Sequence, residues 1–169
     1  MTSFGLPLVL LAFGVAGCAG SKMSMAQARG PSRHVSQIAI APGSGPFADA
    51  IATELFNRGV SVVDASQTAS VIGRIGLNEF EVTSTRGLSA LRESGIEAVL
   101  VARGVAAADG TPESGSARVV ATEDGAVVAA VSWQNGWGGH RGSIADRTMR
   151  KNLSEAASEI ADALMQRMR

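Results

Sequence analysis

The chain of 169 residues has one cysteine, two histidines, no tyrosine and no surplus of either charge. A single cysteine excludes a disulfide within the chain, so stability must come from an apolar core. His34 and His140 stand about a hundred residues apart, which gives no ligand spacing for zinc and few bases for nucleophilic catalysis. Ser44, Ser114 and Ser116 lie near glycines, but none occupies a G-x-S-x-G turn. Fifteen basic residues balance fifteen acidic ones. With no basic run, charge makes no case for nucleic acid and no polybasic patch for a membrane surface. Long hydrophobic runs are missing too, since Leu6 to Ala16 is too short to cross a bilayer as a helix.

What that run does have is the length of a signal-peptide core, and no charged side chain precedes Cys18. It ends in Val15-Ala16-Gly17-Cys18, which resembles a bacterial lipobox. Residues 1–17 then form a signal peptide cut between Gly17 and Cys18, and Cys18 becomes the lipidated first residue of the mature chain. The chemistry suits the residues: a thiol is the nucleophile that a diacylglyceryl donor can alkylate, and small neighbours let an extended backbone enter a peptidase. Two or more acyl chains such as palmitate hold a protein on a membrane stably. The leader lacks Lys and Arg, so either the start lies elsewhere or the amino terminus supplies the only positive charge. Ala19, rather than Asp, follows the cysteine; by resemblance to enterobacterial sorting rules this favours the outer membrane, with the domain facing the periplasm.

Residues 18–34 are small, polar and basic after the cysteine and are expected to form a flexible tether. Fully extended, Ala19 to His34 reaches roughly 55 Å, which keeps the domain near its membrane. Met23 and Met25 with His34 make a thioether metal site conceivable, but two methionines without a sustained pattern are more simply part of the tether. Residues 35–169 are long enough for one domain that buries about two-thirds of its unfolded surface.

Hydrophobic periodicity predicts an α/β (α+β) domain with a mixed parallel and antiparallel sheet flanked by helices. A strand over Gln37–Ala41 leads through Pro42-Gly43-Ser44-Gly45 to a helix whose Phe47, Ile51 and Leu55 share a face, with Pro46 at its first position and Gly59 as a left-handed cap. Val60–Val63 gives a second strand, parallel to the first. Two short helices follow, about Ser66–Ile75 and Arg86–Ser94, and between them Phe80 and Val82 alternate as in a strand. Ala98–Val105, Ala117–Thr122 and Val127–Trp133 read as strands, the last two a hairpin turning at Asp124-Gly125. Ala106–Ser116 reads as a polar loop. A long C-terminal helix opens with the capping pair Ser143 and Asp146 and carries Met149, Leu153, Ala157, Ile160, Leu164 and Met168 toward the core.

This order of pieces resembles the lipoprotein domain shared by curli secretion-channel subunits (CsgG-like), lipoprotein activators of penicillin-binding proteins (LpoB-like) and the amino-terminal domain of the Tol-system translocation protein. The carriers are IAIAP at the first strand, RGVSVVDASQ after the first helix, GIEAVLVARGV, the hairpin ARVVATEDGAVVAAVSW and the closing SIADRTMRKNL. The resemblance implies a protein that binds partners in the cell envelope, with a homo-oligomer among the options. Channel members carry insertions that become membrane-spanning hairpins of about 9 to 11 residues per strand, which the short Ala106–Ser116 stretch does not supply. Activators of this kind tend to have long proline-rich tethers, and the tether here is short.

Two sites compete with that reading. Gly43, Gly45 and Ala48 form G-x-G-x-x-A after a strand, with Asp64 about 20 residues on, as in a dinucleotide fingerprint. Pro46 removes one amide donor, however, the later strands lack crossover helices, and no phosphate-binding-loop lysine is present. No cofactor or metal is therefore expected, and a nucleotide-binding enzyme stands as the alternative, alongside an oligomeric channel subunit. The other site is WQNGWGGHRG, where Trp137, His140 and Arg141 among glycines make a candidate partner-contact patch, Trp and Arg being enriched in binding hot spots. Its plainer reading is a tryptophan folded back on the sheet. Trp133, at a strand end, is expected to be core or half-buried.

Overall fold

The computed structural model describes residues 20–26, 32–136 and 143–168. Gly17, Cys18, Trp137, His140 and Arg141 lie outside them. In chain order the elements are β1 (Lys22–Met25), β2 (Gln37–Ile40), α1 (Gly45–Asn57), β3 (Ser61–Val63), α2 (Ala65–Gly73), a 3₁₀ turn (Glu79–Glu81), α3 (Thr85–Glu93), β4 (Ala98–Ala106), β5 (Pro112–Ala121), β6 (Val127–Gln134), α4 (Ile144–Met149) and α5 (Leu153–Met165). The strands form one sheet in the order β1-β6-β5-β4-β2-β3. β2 is parallel to both β3 and β4, and the pairs from β4 to β1 are antiparallel, so the mixed sheet expected from the pattern is the one observed.

Alternation along the strands divides the core between two faces. Ile38, Ile40, Leu100, Ala102, Ala117, Val119, Val131 and Trp133 face one side, where α1 and α5 pack next to each other. α1 contributes Phe47, Ala48, Ile51, Ala52 and Leu55, the face its spacing indicated. Burying Phe47, Ile51 and Leu55 contributes about 1.5–3 kcal/mol each. Phe47 has a particular seat: Gly104 and Gly115 are paired across β4 and β5, and a Cβ on either would lie 2.6 or 2.2 Å from its ring. On the other face, Ile72 of α2 and Leu88 and Leu91 of α3 cover Ala39, Val99 and Val120.

Four local expectations change. Lys22–Met25, read as part of the 18–34 tether, is an edge strand in register with β6. The four residues KMSM do alternate, and Met25 packs on the core, but a run so short carries little signal beside polar neighbours. Ala106–Ser116 is mostly strand: β5 begins at Pro112, and Gly104 and Gly115 pair within the hairpin. Phe80 lies in a 3₁₀ turn capped by Asn78 and Glu81 and is 80% exposed, while Val82 is buried. The closing helix is two helices. Ser143 accepts from Asp146 N and caps the short α4; the chain extends at Arg150, and Asn152 with Glu155 forms a second capping box for α5. The core stripe accordingly runs through Ala157, Ile160 and Leu164 of α5 to Met168, while Met149 on α4 is exposed.

Candidate binding surface

The glycine turn before α1 is shaped by backbone rather than by a ligand. Gly43 and Gly45 take φ of 72° and 70°, left-handed values that a side chain resists. Pro46 stands in the first turn of α1, and Ser44 makes no side-chain cap. The Glu79 carboxylate approaches the Gly43 position, its Oε2 3.6 Å from where a Cβ would be. An anion bound there would meet that negative charge. Asp64 is engaged as the N-cap of α2: its Oδ1 accepts from Ser66 Oγ at 2.6 Å, Ser66 N at 2.8 Å and Gln67 N at 2.9 Å. The Ser66 hydroxyl and these amides hold its carboxyl below the usual range. Among the described residues no group of three or more His, Cys, Asp or Glu side chains gathers as a metal site requires.

Trp133 is buried, as its position suggested, and its indole Nε1 donates to Glu159 Oε2 on α5 at 2.8 Å. Ser21 Oγ, just before β1, donates to the same oxygen at 2.5 Å, and Lys151 pairs with the other. One carboxylate thus joins β6, the start of β1 and α5. Burial pushes the Glu159 carboxyl up, but Lys151, Ser21 and Trp133 together outweigh it and hold it below its ordinary value. Asn135 adds a second clasp, donating to Pro112 O at 2.7 Å and Lys151 O at 2.9 Å and accepting from Lys151 N at 3.0 Å. These contacts tie the chain just after β6 to the start of β5 and to the chain before α5.

The surface that stands out is the half of the sheet that α2 and α3 do not cover. Their layer reaches Val99 and Val120 and ends at Val101. Beyond it, on the same side of β4, β5, β6 and β1, register places three rungs: Val101, Arg118 and Ala130; Arg103, Ser116, Ser132 and Ser24; Val105, Ser114, Gln134 and Lys22. Two adjoining depressions of about 450 and 520 Å³ lie here and share Ser24, Arg103, Ser116 and Ser132. Lys22, Arg103 and Arg118 are exposed, and among the described residues no Asp or Glu lines either depression. Sequence reading missed this cluster because its three cations come from three strands, each contributing one charge.

No protein-family model matches the chain, and no curated protein matches it in sequence. Among solved structures, a PelC variant from Paraburkholderia phytofirmans, a dodecamer, is similar with a TM-score of 0.50 and 13% identity, over 88% of this chain and 99% of that one. A second PelC dodecamer from that organism gives 0.47 and 17% identity over 85% and 94%. Lipoprotein GNA1162 from Neisseria meningitidis gives 0.47 and 19% over 76% and 99%. At these identities the likeness is one of fold, and the first comparison carries it. Among the described residues no helix is long and apolar enough to cross a membrane.

Proposed function

We propose that this chain is a lipid-anchored protein of the bacterial envelope that works by binding rather than catalysis, in envelope assembly or as an accessory of a secretion, motility or cell-wall machine. The observation that carries the reading is the short sequence spacing from Cys18 to the first strand of the sheet. The lipobox-like cysteine stands four residues before Lys22, where β1 begins, so the acyl chains would hold the sheet edge itself within about 14 Å of the membrane. Anchoring at the outer membrane, with the domain in the periplasm, follows from Ala19 by the sorting resemblance. The likeness to curli-channel, penicillin-binding-protein activator and Tol domains supports a binding role, and the assembly of PelC, of similar fold, as a dodecamer supports self-association within it. Against the nucleotide alternative, Glu79 faces the glycine turn and Asp64 is committed to α2.

Fractionation tests the anchor. Cys18→Ala is expected to move the protein from the membrane to the soluble fraction, and metabolic labelling with palmitate should disappear with it. Retention of the variant in the membrane fraction would sink the lipid-anchor reading.

A further inference from the structure

The charge balance of the chain conceals an asymmetry across the sheet. The open half-face carries Lys22, Arg103 and Arg118, with no acid among the described residues that line it. Arg103 and Arg118 sit on adjacent rungs of neighbouring strands, diagonal neighbours about 7–8 Å apart, so they repel each other in an isolated molecule. The opposite side is the outer surface of α1 and α5, and neither helix contains a basic residue. Asp49, Glu155 and Asp162 are exposed there. Arg58 joins the two helices, donating to Asp162 Oδ1 at 2.8 Å and Glu54 Oε2 at 2.5 Å, but it offsets one of those two charges only. Phe56 stands 65% exposed on the same stripe of α1 as Asp49 and Thr53.

We propose that the open half-face is the seat for a second copy of this chain, which lays its acidic α1–α5 surface into the place that α2 and α3 leave uncovered. Shape and charge agree on this occupant. Four strands about 4.8 Å apart and five residues along them make a face of roughly 19 by 17 Å. Two adjacent helices, each about 10 Å across and roughly 20 Å long, match that footprint. The α2–α3 layer forms a step on one side of the face, which receives a helix layer and holds off a flat bilayer. Exposed Phe56 supplies the apolar contact, toward the rung with Val101 and Ala130, while the serines of the middle rung leave room for side chains from the partner. The inference deepens the binding reading above and does not require the lipid anchor.

The two surfaces lie on opposite sides of one sheet, so the contact is heterologous and leaves a free front and a free back on every pair. Such contacts continue until a ring closes, or run on as a filament, and nearly opposite faces give a large ring rather than a dimer.

Charge reversal on each surface tests this on the full chain in mild detergent, with mass read by light scattering. Arg103→Glu with Arg118→Glu makes an acidic front; Asp49→Arg with Thr53→Arg makes a basic back and leaves the Arg58 pairs and the Asn152 cap intact. Wild type is expected to assemble beyond a dimer, and each reversed protein alone to fall to monomer. An equimolar mixture should regain wild-type mass, because acidic fronts then meet basic backs. Arg103→Gln with Arg118→Gln, which only removes charge, should weaken assembly by about tenfold or more. A monomeric wild type, unchanged assembly in the front-reversed protein, or a mixture that stays monomeric while circular dichroism shows both variants folded would each overturn the proposal. So would a monomeric wild type that binds phosphatidylglycerol vesicles through Arg103 and Arg118, which would give the face to lipid. Because mass is read apart from membrane fractionation, failure here leaves the Cys18 result standing, and the reverse holds.

Discussion

Glu159 shows how much a single side chain holds together. Its two oxygens serve Trp133, Ser21 and Lys151, contacts that join β6, the chain before β1 and α5. Since its folded carboxyl sits below the ordinary range, the stability it contributes is present above the unfolded carboxylate pKa of about 4.3 and is lost as pH falls through the lower folded value. Glu159→Gln is therefore expected to lower the denaturant midpoint at pH 7 by the equivalent of about 1–3 kcal/mol, leaving the indole and Lys151 short of a charged acceptor. The gap to wild type should close in acid. A gap that stays constant down to the acid limb would mean that the charge of Glu159 is not its source. Glu97, held below its ordinary value by the Ser36 amide, belongs to the same acid-sensitive set. Asp64 was legible as the end of a strand and the start of a helix because an N-cap leaves a local signature. Glu159 was not legible, since its partners lie 8 to 138 residues away in sequence.

The elements that formed as their patterns indicated are those whose information is local. α1 followed its i, i+4, i+8 spacing; Asp124-Gly125 marked the β5–β6 turn; Gly59, Gly76 and Gly95 follow α1, α2 and α3 with positive φ. Expectations failed where tertiary contact overrode pattern. Gly115 weakens the local case for a strand within Ala106–Ser116, yet it pairs with Gly104 of β4, and the ring of Phe47 occupies the space that side chains at both positions would need. Gly115→Ala, which sets a Cβ 2.2 Å from Phe47 Cζ, is expected to cost about 1–3 kcal/mol by overpacking. Phe47→Ala alone should cost about 3–5 kcal/mol. In that background Gly115→Ala should cost much less than it does beside the ring, with the 3.2 Å approach of Arg103 O to the added Cβ as the contact that remains. A double-mutant cycle in urea reads the coupling. Additive effects would show that the glycines are not there for the ring.

At the scale of the whole molecule, the sequence disclosed the layers but not their extent. Apolar alternation marks which strands are buried on at least one side, and helix periodicity marks which helices have a core face. Neither says that α2 and α3 span only half the sheet, because that depends on how strands distant in sequence are ordered. The open face and its three cations follow from the order β1-β6-β5-β4-β2-β3 and nothing shorter. The same order sets a gradient of protection. β4 lies between β2 and β5 with Ala98, Val99 and Leu100 fully buried, whereas β1 is four residues long, paired on one side and exposed along most of its length. Amide exchange in a chain held monomeric by Arg103→Glu with Arg118→Glu should thus be slowest in 98–102 and fastest in 22–25, because opening an edge strand exposes little apolar surface. In assembled wild type the exchange of β1 and β6 should slow relative to β2, because a neighbour's helix layer covers the first pair and not the second. Equal slowing everywhere would mean that assembly acts by general stabilisation, and slowing confined to α2 and α3 would place the contact on the wrong half of the sheet.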